Sequence, residues 1–516
     1  MTLKQSGNSD SGLSIRKHLF LLFLFVVTAF LIYAPVLHHF FVSDDFKVLY
    51  RVTGERVIFI HGFFRPLSDI SILLTFLAGG LNPVWFNSFN ILIHGINSFF
   101  LFLLSNQIGR NILDKSNAFY FAILSSVFFI CYPFHNEAVV WMLGRGSGMA
   151  CMFALSGLLC YYEIKKNNLK IAASCLCYFV SMSAFESAMI FPLILWLLLL
   201  LEKQHFKIIR NWAFALTFTF CLHLICRYLL SGSFFGSYGN DFFHTSVKKY
   251  FLNIAKTGGR LILPPSNNTV LLESVFILLI LYASYYIIKH IHQIRQNKIW
   301  RPIAILSLML IISCIVPLIA GVSTRTSESD RLMYFPSVFV CMIWAFLIVY
   351  NVSHKNLQRF LILSTITYNL FFLELNNLNW RKASSVTSSI IEKVNEEIRS
   401  GNSGRVYFVN IPDEIEGAYV FRMGFSDAMK LYGFDLNRFV DVNYLPRSEM
   451  IGIKREITQN ADKSEISLPP DILLKRIASG NYQIFDHGKL KFTSGANDKI
   501  YFWNTGQLEL FRPSFE

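Results

Sequence analysis

Repeated apolar runs, each close to the length that crosses a lipid bilayer, constrain this chain more than any other feature. Leu19–Leu37, Phe86–Ile108 and Ile171–Leu201 are examples, the last broken at Phe185-Glu186-Ser187. A hydrocarbon core of about 30 Å takes about 20 apolar residues of helix. Lipid offers the backbone no hydrogen-bond partner, so such runs must be helical. Composition agrees: 53% of the 516 residues are hydrophobic, 16% are charged, and mean hydropathy is +0.44. A soluble chain carries about 25% charge. The sequence thus predicts an α-helical polytopic membrane protein.

The loops set the expected topology. Arg16 and Lys17 stand just before the first run, which puts the N-terminus, residues 1–18, in the cytoplasm. Basic residues recur after alternate runs, at Arg110 and Lys115, at Lys165, Lys166 and Lys170, at Lys203, Lys207 and Arg210, from Lys289 to Arg301, and at Lys355 and Arg359. This alternation predicts about eleven spans, between residues 19 and 375. The same inner loops account for the net charge of +14. There is no zinc-knuckle, helix-turn-helix or RNA-binding signature, so no nucleic-acid partner is expected. All nine cysteines fall between Cys131 and Cys341, in or beside apolar runs, and read as small hydrophobes rather than a disulfide framework. The first run is too long for a cleaved signal and reads as a retained anchor.

Two regions differ from the spans. Residues 38–66 form an outer loop, followed by an interfacial helix at 67–80. There Leu67, Ile70, Leu74 and Leu77 recur at helical spacing among Ser68, Asp69, Ser71 and Thr75, between Pro66 and the Gly79-Gly80 stop. From residue 376 to 516 the composition changes to an amphipathic helix, Ser384–Ser400, and strand-like RVYFVNI, AYVFRM and KIYFWNT. This predicts a small C-terminal α+β extracytoplasmic domain, without a catalytic constellation of its own.

The candidate chemistry lies at the outer ends of the spans. Asp44 and Asp45 follow the first run, where carboxylates stay ionised as a base, a metal ligand or a helix cap. On the same expected side lie Arg65, His135, Glu137, Arg145, Glu186, Arg331 and Tyr334. Glu186 interrupts an apolar run, a costly place for an unpaired carboxylate. For each arginine, contact with lipid headgroups is the alternative use. Acids and arginines facing one solvent-filled hollow suit deprotonation of an acceptor hydroxyl and charge neutralisation on a departing phosphate. The sequence contains no GxxxxGK[ST], GxSxG or HExxH motif, which argues against nucleotide, serine-hydrolase and zincin chemistry.

The acidic pair after the first span resembles that of the GT-C polytopic glycosyltransferases. The resemblance is in particular to the transmembrane O-mannosyltransferases that carry tetratricopeptide repeats, and to their bacterial relatives. It also rests on Arg65-Pro66-Leu67-Ser68, Gly80-Leu81-Asn82-Pro83, the Asn90–Asn97 stretch, Pro133–Val139 with Gly144-Arg145, Asp330-Arg331 with Tyr334–Ser337, and Asn379-Trp380-Arg381. Together these stretches cover roughly residues 19–385. The family has Lys-Glu where this chain has Phe185-Glu186, and the tail here shows no tetratricopeptide pattern.

The resemblance implies a GT-C-like fold and transfer of a monosaccharide from a polyprenyl-phosphate donor, with undecaprenyl phosphate as the expected carrier. The acceptor would be a hydroxyl of an outer-face polysaccharide, glycolipid or protein, and the anomeric centre would invert. Asp44 or Asp45 would be the base and Glu137 a second acid. Arg331 would meet the lipid phosphate, with Arg65, His135, Arg145, Glu186 and Tyr334 as further donor phosphate or sugar contacts. Mg²⁺ or Mn²⁺ is compatible and not required; Asp45 and Glu137 are its ligands if one binds. The bacterial kinship implies an inner membrane with the tail in the periplasm. A non-catalytic transporter or flippase of lipid-linked sugars is the alternative. It predicts paired broken helices in two related halves, whereas only the run around Glu186 is interrupted.

Overall fold

The computed structural model describes residues 15–234, 247–265, scattered positions between 270 and 285, and 300–442 apart from 353, 402 and 410. Beyond 458 it describes the strands named below with some adjoining turns. The expected span at Leu271–Ile288 and the basic loop after it lie largely outside the described residues, as does most of the N-terminal segment 1–18. The chain divides into two compact units: Met1–His38 with Val57–Leu378, and His39–Arg56 with Asn379–Glu516.

The first unit is helical, and the chain is an integral membrane protein. Among the described residues five helices are long and apolar enough to cross a bilayer: Ile15–Val36, Pro83–Arg110, Met142–Glu163, Phe206–Ser231 and Asp330–Tyr350. Lys115–Ile130, Glu186–Leu201 and Pro302–Ser313 are shorter apolar helices. The Pro83–Arg110, Met142–Glu163 and Asp330–Tyr350 spans are mostly buried, while Phe20, Phe23, Phe214 and Phe218 of the other two remain exposed, as side chains facing lipid do.

Local sequence explains the breaks. Pro66 starts the Pro66–Gly79 helix at its first turn, and Asn82 caps the next by accepting from the Val84 amide at 3.1 Å. The Asn167–Ala184 helix ends where Phe185 turns extended, and a 3₁₀ turn at Glu186–Ile190 leads into Phe191–Leu201, whose first turn carries Pro192.

The Pro66–Gly79 helix turns its polar side inward. Ser68, Asp69, Ser71 and Thr75 are buried, whereas Leu74 and Leu77 are exposed. Val247–Arg260 repeats the arrangement. Its inward stripe is Asn253, Thr257 and Arg260, and Phe251, Leu252 and Ile254 point out. In water that orientation would be unfavourable; against lipid it buries the polar atoms and leaves the apolar ones in their own solvent.

The second unit is α+β. Val406–Val409 lies parallel to both Lys499–Asn504 and Phe439–Val442, and Gln507–Leu510 adds antiparallel to Lys499–Asn504. A five-stranded antiparallel meander runs through Thr458–Gln459, Glu465–Leu468, Ile472–Arg476, Tyr482–Asp486 and Lys489–Thr493. Tyr407, Val409 and Phe502 of the first sheet share a buried core with Leu474 and Ile484 of the meander. The amphipathic helix read at Ser384–Ser400 is the end of a single 45-residue helix, Lys355–Arg399. Buried Glu397 near that end takes Lys499 Nζ at 2.8 Å and the Tyr501 hydroxyl at 2.5 Å.

His39 belongs to this second unit and is buried. Burial, and then the Arg381 guanidinium, push its imidazole down to about 3 from the ordinary 6.5. The unfolded chain therefore takes up a proton that the folded one refuses as pH falls through this window, and stability falls with it. Thermal unfolding should accordingly shift down on acidification from pH 6.5, and His39→Gln should flatten that dependence. An unchanged pH slope in the variant would assign the loss to other groups.

Candidate functional site

Asp44 and Asp45 open a short helix, Asp44–Leu49, in the second unit. Ser43 before them holds a left-handed backbone, φ 49°, unusual for a residue with a side chain. Its amide donates to Val420 O at 2.6 Å, and a Cβ on Gly424 would meet its carbonyl at 2.5 Å, so the turn is clamped by backbone from the same unit. Sequence position predicts two water-facing carboxylates. The structure corrects this for one of them. Asp44 is half-buried, but Asp45 is 1% exposed and accepts the Val42 amide at 3.0 Å on Oδ2. A carboxylate that serves its own helix start turns back over the chain rather than out.

The other sequence-selected residues lie in the first unit, and they sort into three assemblies. The first joins Glu137 to Arg331. Glu137 Oε2 accepts the Arg331 amide at 2.8 Å and Oε1 accepts Arg331 Nη1 at 2.5 Å. The Glu137 side chain is fully enclosed, whereas Arg331 is 24% exposed and lies 5.0 Å from the Trp141 ring centre. A carboxylate that grips both the main chain and the guanidinium fixes where the exposed charge points. The main chain that carries Glu137 is closely packed: a Cβ on Gly144 would strike the Glu137 main-chain carbonyl at 1.9 Å.

Immediately before Arg331, Asp330 pairs with Arg260 at 2.5 Å, both side chains fully enclosed. Arg260 also donates to Leu263 O at 2.7 Å and Ser323 O at 3.1 Å, and its guanidinium lies 4.7 Å from the centre of the Phe134 ring. Neighbouring residues of one 3₁₀ turn, Asp330–Met333, thus carry two ion pairs to different elements.

The second assembly holds His135 and Tyr334. His135 Nε2 meets Ser337 Oγ at 2.7 Å, and the Tyr334 hydroxyl meets His94 Nδ1 at 2.7 Å and Asn97 Nδ2 at 3.1 Å. All of these side chains are buried, with the His135 and Tyr334 ring centres 4.4 Å apart. Arg145 is buried as well. Its guanidinium bonds Met142 O and Phe86 O, each at 3.2 Å, and Thr75 Oγ1 at 3.2 Å. It thereby fastens the inward polar stripe of Pro66–Gly79. The expectation that His135, Glu137, Arg145 and Tyr334 line a solvent-filled hollow is corrected: all four are enclosed, because their polar atoms bind helices to one another.

The third assembly joins Arg65 and Glu186 with Arg227, which the sequence reading did not single out. Arg65 Nε lies 2.9 Å from Glu186 Oε2, and Arg227 Nη2 3.3 Å from Oε1. Arg65 and Glu186 are part exposed, at 29% and 25%, and Arg227 is enclosed. Arg65 also covers the Phe185 ring at 4.6 Å. An arginine inside the apolar run Phe206–Ser231 was the available signal for Arg227.

Among the described residues, no group of three or more His, Cys, Asp or Glu side chains gathers as a metal site. All nine cysteines are free thiols, and Cys221 is exposed.

Comparison with known proteins gives partial matches. "Protein O-mannosyl-transferase Tmtc1" of Drosophila melanogaster is 28% identical over 152 residues, 26% of this chain and 17% of that protein. "Protein O-mannosyl-transferase TMTC2" of Homo sapiens is 30% identical over 126 residues, 24% of this chain and 14% of that protein. The chain is similar to protein O-mannosyl-transferases. It spans less than a fifth of the length of these curated O-mannosyl-transferase relatives, 17% and 14%. No family model matches. Among solved structures, ArnT from Cupriavidus metallidurans bound to undecaprenyl phosphate overlaps 82% of this chain and 89% of its own, at 12% identity and a TM-score of 0.37, too loose a likeness to carry argument.

Proposed function

We propose that the chain is a membrane glycosyltransferase of GT-C type that moves a monosaccharide from a polyprenyl-phosphate donor, with undecaprenyl phosphate as carrier, to a hydroxyl on an extracytoplasmic acceptor. The acceptor is a surface glycan, a glycolipid or a protein. The similarity to O-mannosyl-transferases supports the reaction class. The observation that carries the reading furthest is the Glu137–Arg331 pair. A part-exposed guanidinium aimed by an enclosed carboxylate is suited to receive a phosphate whose charge grows as it leaves.

In the proposed reaction the acceptor oxygen attacks the anomeric carbon from the face opposite the phosphate. The bond from that carbon to the phosphate oxygen breaks, and its electron pair leaves on the lipid phosphate. The acceptor proton passes to an aspartate of the Asp44–Asp45 pair, an assignment made from sequence. Of the two, the half-buried Asp44 has the better access to an incoming hydroxyl. Arg65 and Glu186 are assigned to the donor, and His135, Arg145 and Tyr334 to the framework around it. The proposed setting is a bacterial inner membrane, with the N-terminus in the cytoplasm and residues 376–516 in the periplasm. Mg²⁺ or Mn²⁺ dependence is tested by adding a chelator to reconstituted protein.

Purified protein incubated with a panel of polyprenyl-phosphate sugars should release free lipid phosphate from at least one of them. No release from any member, with acceptor present, rejects the transferase reading. Arg331→Ala should weaken donor binding about 10- to 100-fold, as loss of a charged hydrogen bond does. Arg331→Lys separates charge from geometry, because it keeps the positive charge without the planar fork. Wild-type donor affinity in both variants would remove Arg331 from the phosphate.

A further inference from the structure

Three part-exposed aromatic rings form a row on the second unit: Phe40, Tyr432 and Phe434. The Phe40 and Tyr432 rings are inclined by 11° with 6.5 Å between centres, and those of Tyr432 and Phe434 by 25° with 5.9 Å. Near-parallel rings that far apart are displaced sideways and do not cover each other's faces.

The backbone holds the row in place. The Phe425–Leu431 helix ends in a glycine cap, with Gly433 at φ 73°. The Gly433 amide donates to Lys430 O at 3.1 Å, and the Phe434 amide to Met429 O at 2.8 Å. At the other end the Phe40 amide donates to Ser384 Oγ at 2.6 Å. The outer rings rest on buried ones, Phe40 on Phe46 and Phe434 on Phe439, each at 6.1 Å between centres.

Open space and polar groups border the row. A Cβ on Gly433, which stands between Tyr432 and Phe434, would meet nothing within 4 Å. The Tyr432 hydroxyl and the Asn437 side-chain amide have no hydrogen-bond partner among the described residues. Asp435 gives one carboxylate oxygen to the Asn437 main-chain amide at 2.9 Å, and its other oxygen has no partner among them. Asp435 and Asn437 are both exposed.

Contiguous aromatic surface left open to water marks a place of contact. The polar border narrows what makes that contact. A pyranose has a flat C–H face, which packs on an aromatic ring, and hydroxyls around its edge that both donate and accept. A carboxylate accepts, while an amide and a phenol each donate and accept. Rings in series suit a chain of sugars rather than a single one.

We propose that Phe40, Tyr432 and Phe434 form a shelf that binds an oligosaccharide, with Asp435 and Asn437 taking its hydroxyls, and that the acceptor is accordingly a glycan. Phe40 stands four residues before Asp44, and the Phe46 ring that it touches belongs to the Asp44–Leu49 helix. A glycan on the shelf thus has one end beside the proposed base. The shelf is read from its own geometry; its use for the acceptor rests on the glycosyltransferase reading.

The test uses full-length protein in detergent and a panel of hexasaccharides built from glucose, mannose, galactose, N-acetylglucosamine or uronic acids. Calorimetry without any lipid donor should show wild type binding at least one of them. Tyr432→Ala should weaken that binding at least about tenfold. Tyr432→Phe keeps the ring and should lie between. Asn437→Ala should weaken binding severalfold, and because Asn437 is exposed and outside the helix it tests the site even where Tyr432→Ala loosens the helix end. With a lipid-linked sugar as donor, Tyr432→Ala should raise the KM for the acceptor glycan about tenfold at little-changed kcat. No binding of any hexasaccharide by wild type, or wild-type affinity in both alanine variants, overturns the shelf. Transfer onto a protein, with its KM unchanged in Tyr432→Ala, overturns the glycan as acceptor. Hexasaccharide binding that Tyr432→Ala removes, without transfer from any lipid-linked sugar, keeps the shelf and overturns the transferase reading alone.

Discussion

Arg260→Met should lower the stability of the membrane-spanning unit by about 3–5 kcal/mol, the largest stability loss expected of any single change here. The substitution leaves the fully enclosed Asp330 carboxylate without the guanidinium 2.5 Å away. Asp330 Oδ2 already lacks a partner among the described residues, so nothing nearby takes over the charge. The carbonyls of Leu263 and Ser323 lose their donor at the same time. The cost comes from the isolated charge rather than from the pair itself, because desolvation offsets most of what two buried ions gain from each other. Arg260→Met combined with Asp330→Leu should therefore recover much of the loss. Thermal unfolding in detergent measures all three variants. A double variant no more stable than Arg260→Met would place the cost in lost packing against Phe134 instead. Arg331 follows Asp330 directly, so the single variant should also weaken donor affinity while the double variant restores some of it.

Helix positions were legible because apolar length and breaker residues are local signals. Pro66, Gly79-Gly80, Asn82-Pro83 and the Phe185-Glu186 break each act within a few residues of chain, and the helices start and stop there. The strands at Val406–Val409 and Lys499–Asn504 were legible for the same reason. Orientation was harder to read. An amphipathic pattern marks two faces but does not name the solvent, and in Pro66–Gly79 and Val247–Arg260 the polar face is the buried one. Arg145 and Arg260 are the beneficiaries, each bonded at the inner side of such a stripe. Ionisable residues chosen as solvent-facing, such as Glu137 and His135, are enclosed because their partners come from segments far away in sequence, Arg331 and Ser337. Arg227 stands inside an apolar run, a signal present in the sequence. Its meaning depends on Glu186, shared with Arg65, and no periodicity connects either of them to it.

Asp44→Asn is expected to reduce sugar transfer about 10²- to 10⁴-fold, the contribution of a positioned general base. Unfolding should be little changed, because Asp44 is half-buried and asparagine keeps the shape of the side chain and one acceptor oxygen. Asp45 separates the structural role from the chemical one. Asp45→Asn keeps an oxygen for the Val42 amide and should preserve the turn, whereas Asp45→Ala removes that acceptor and should cost about 1–3 kcal/mol. The pair is thus expected to divide, with turnover following the first residue and stability the second. Turnover measured with a lipid-linked sugar, beside thermal unfolding of each variant, resolves the two roles. Loss of transfer in Asp45→Asn at unchanged stability, with Asp44→Asn fully active, would move the base to the enclosed residue. Wild-type turnover in both asparagine variants would take the base away from this pair, and the carboxylate that accepts the acceptor's proton would have to be sought elsewhere in the chain.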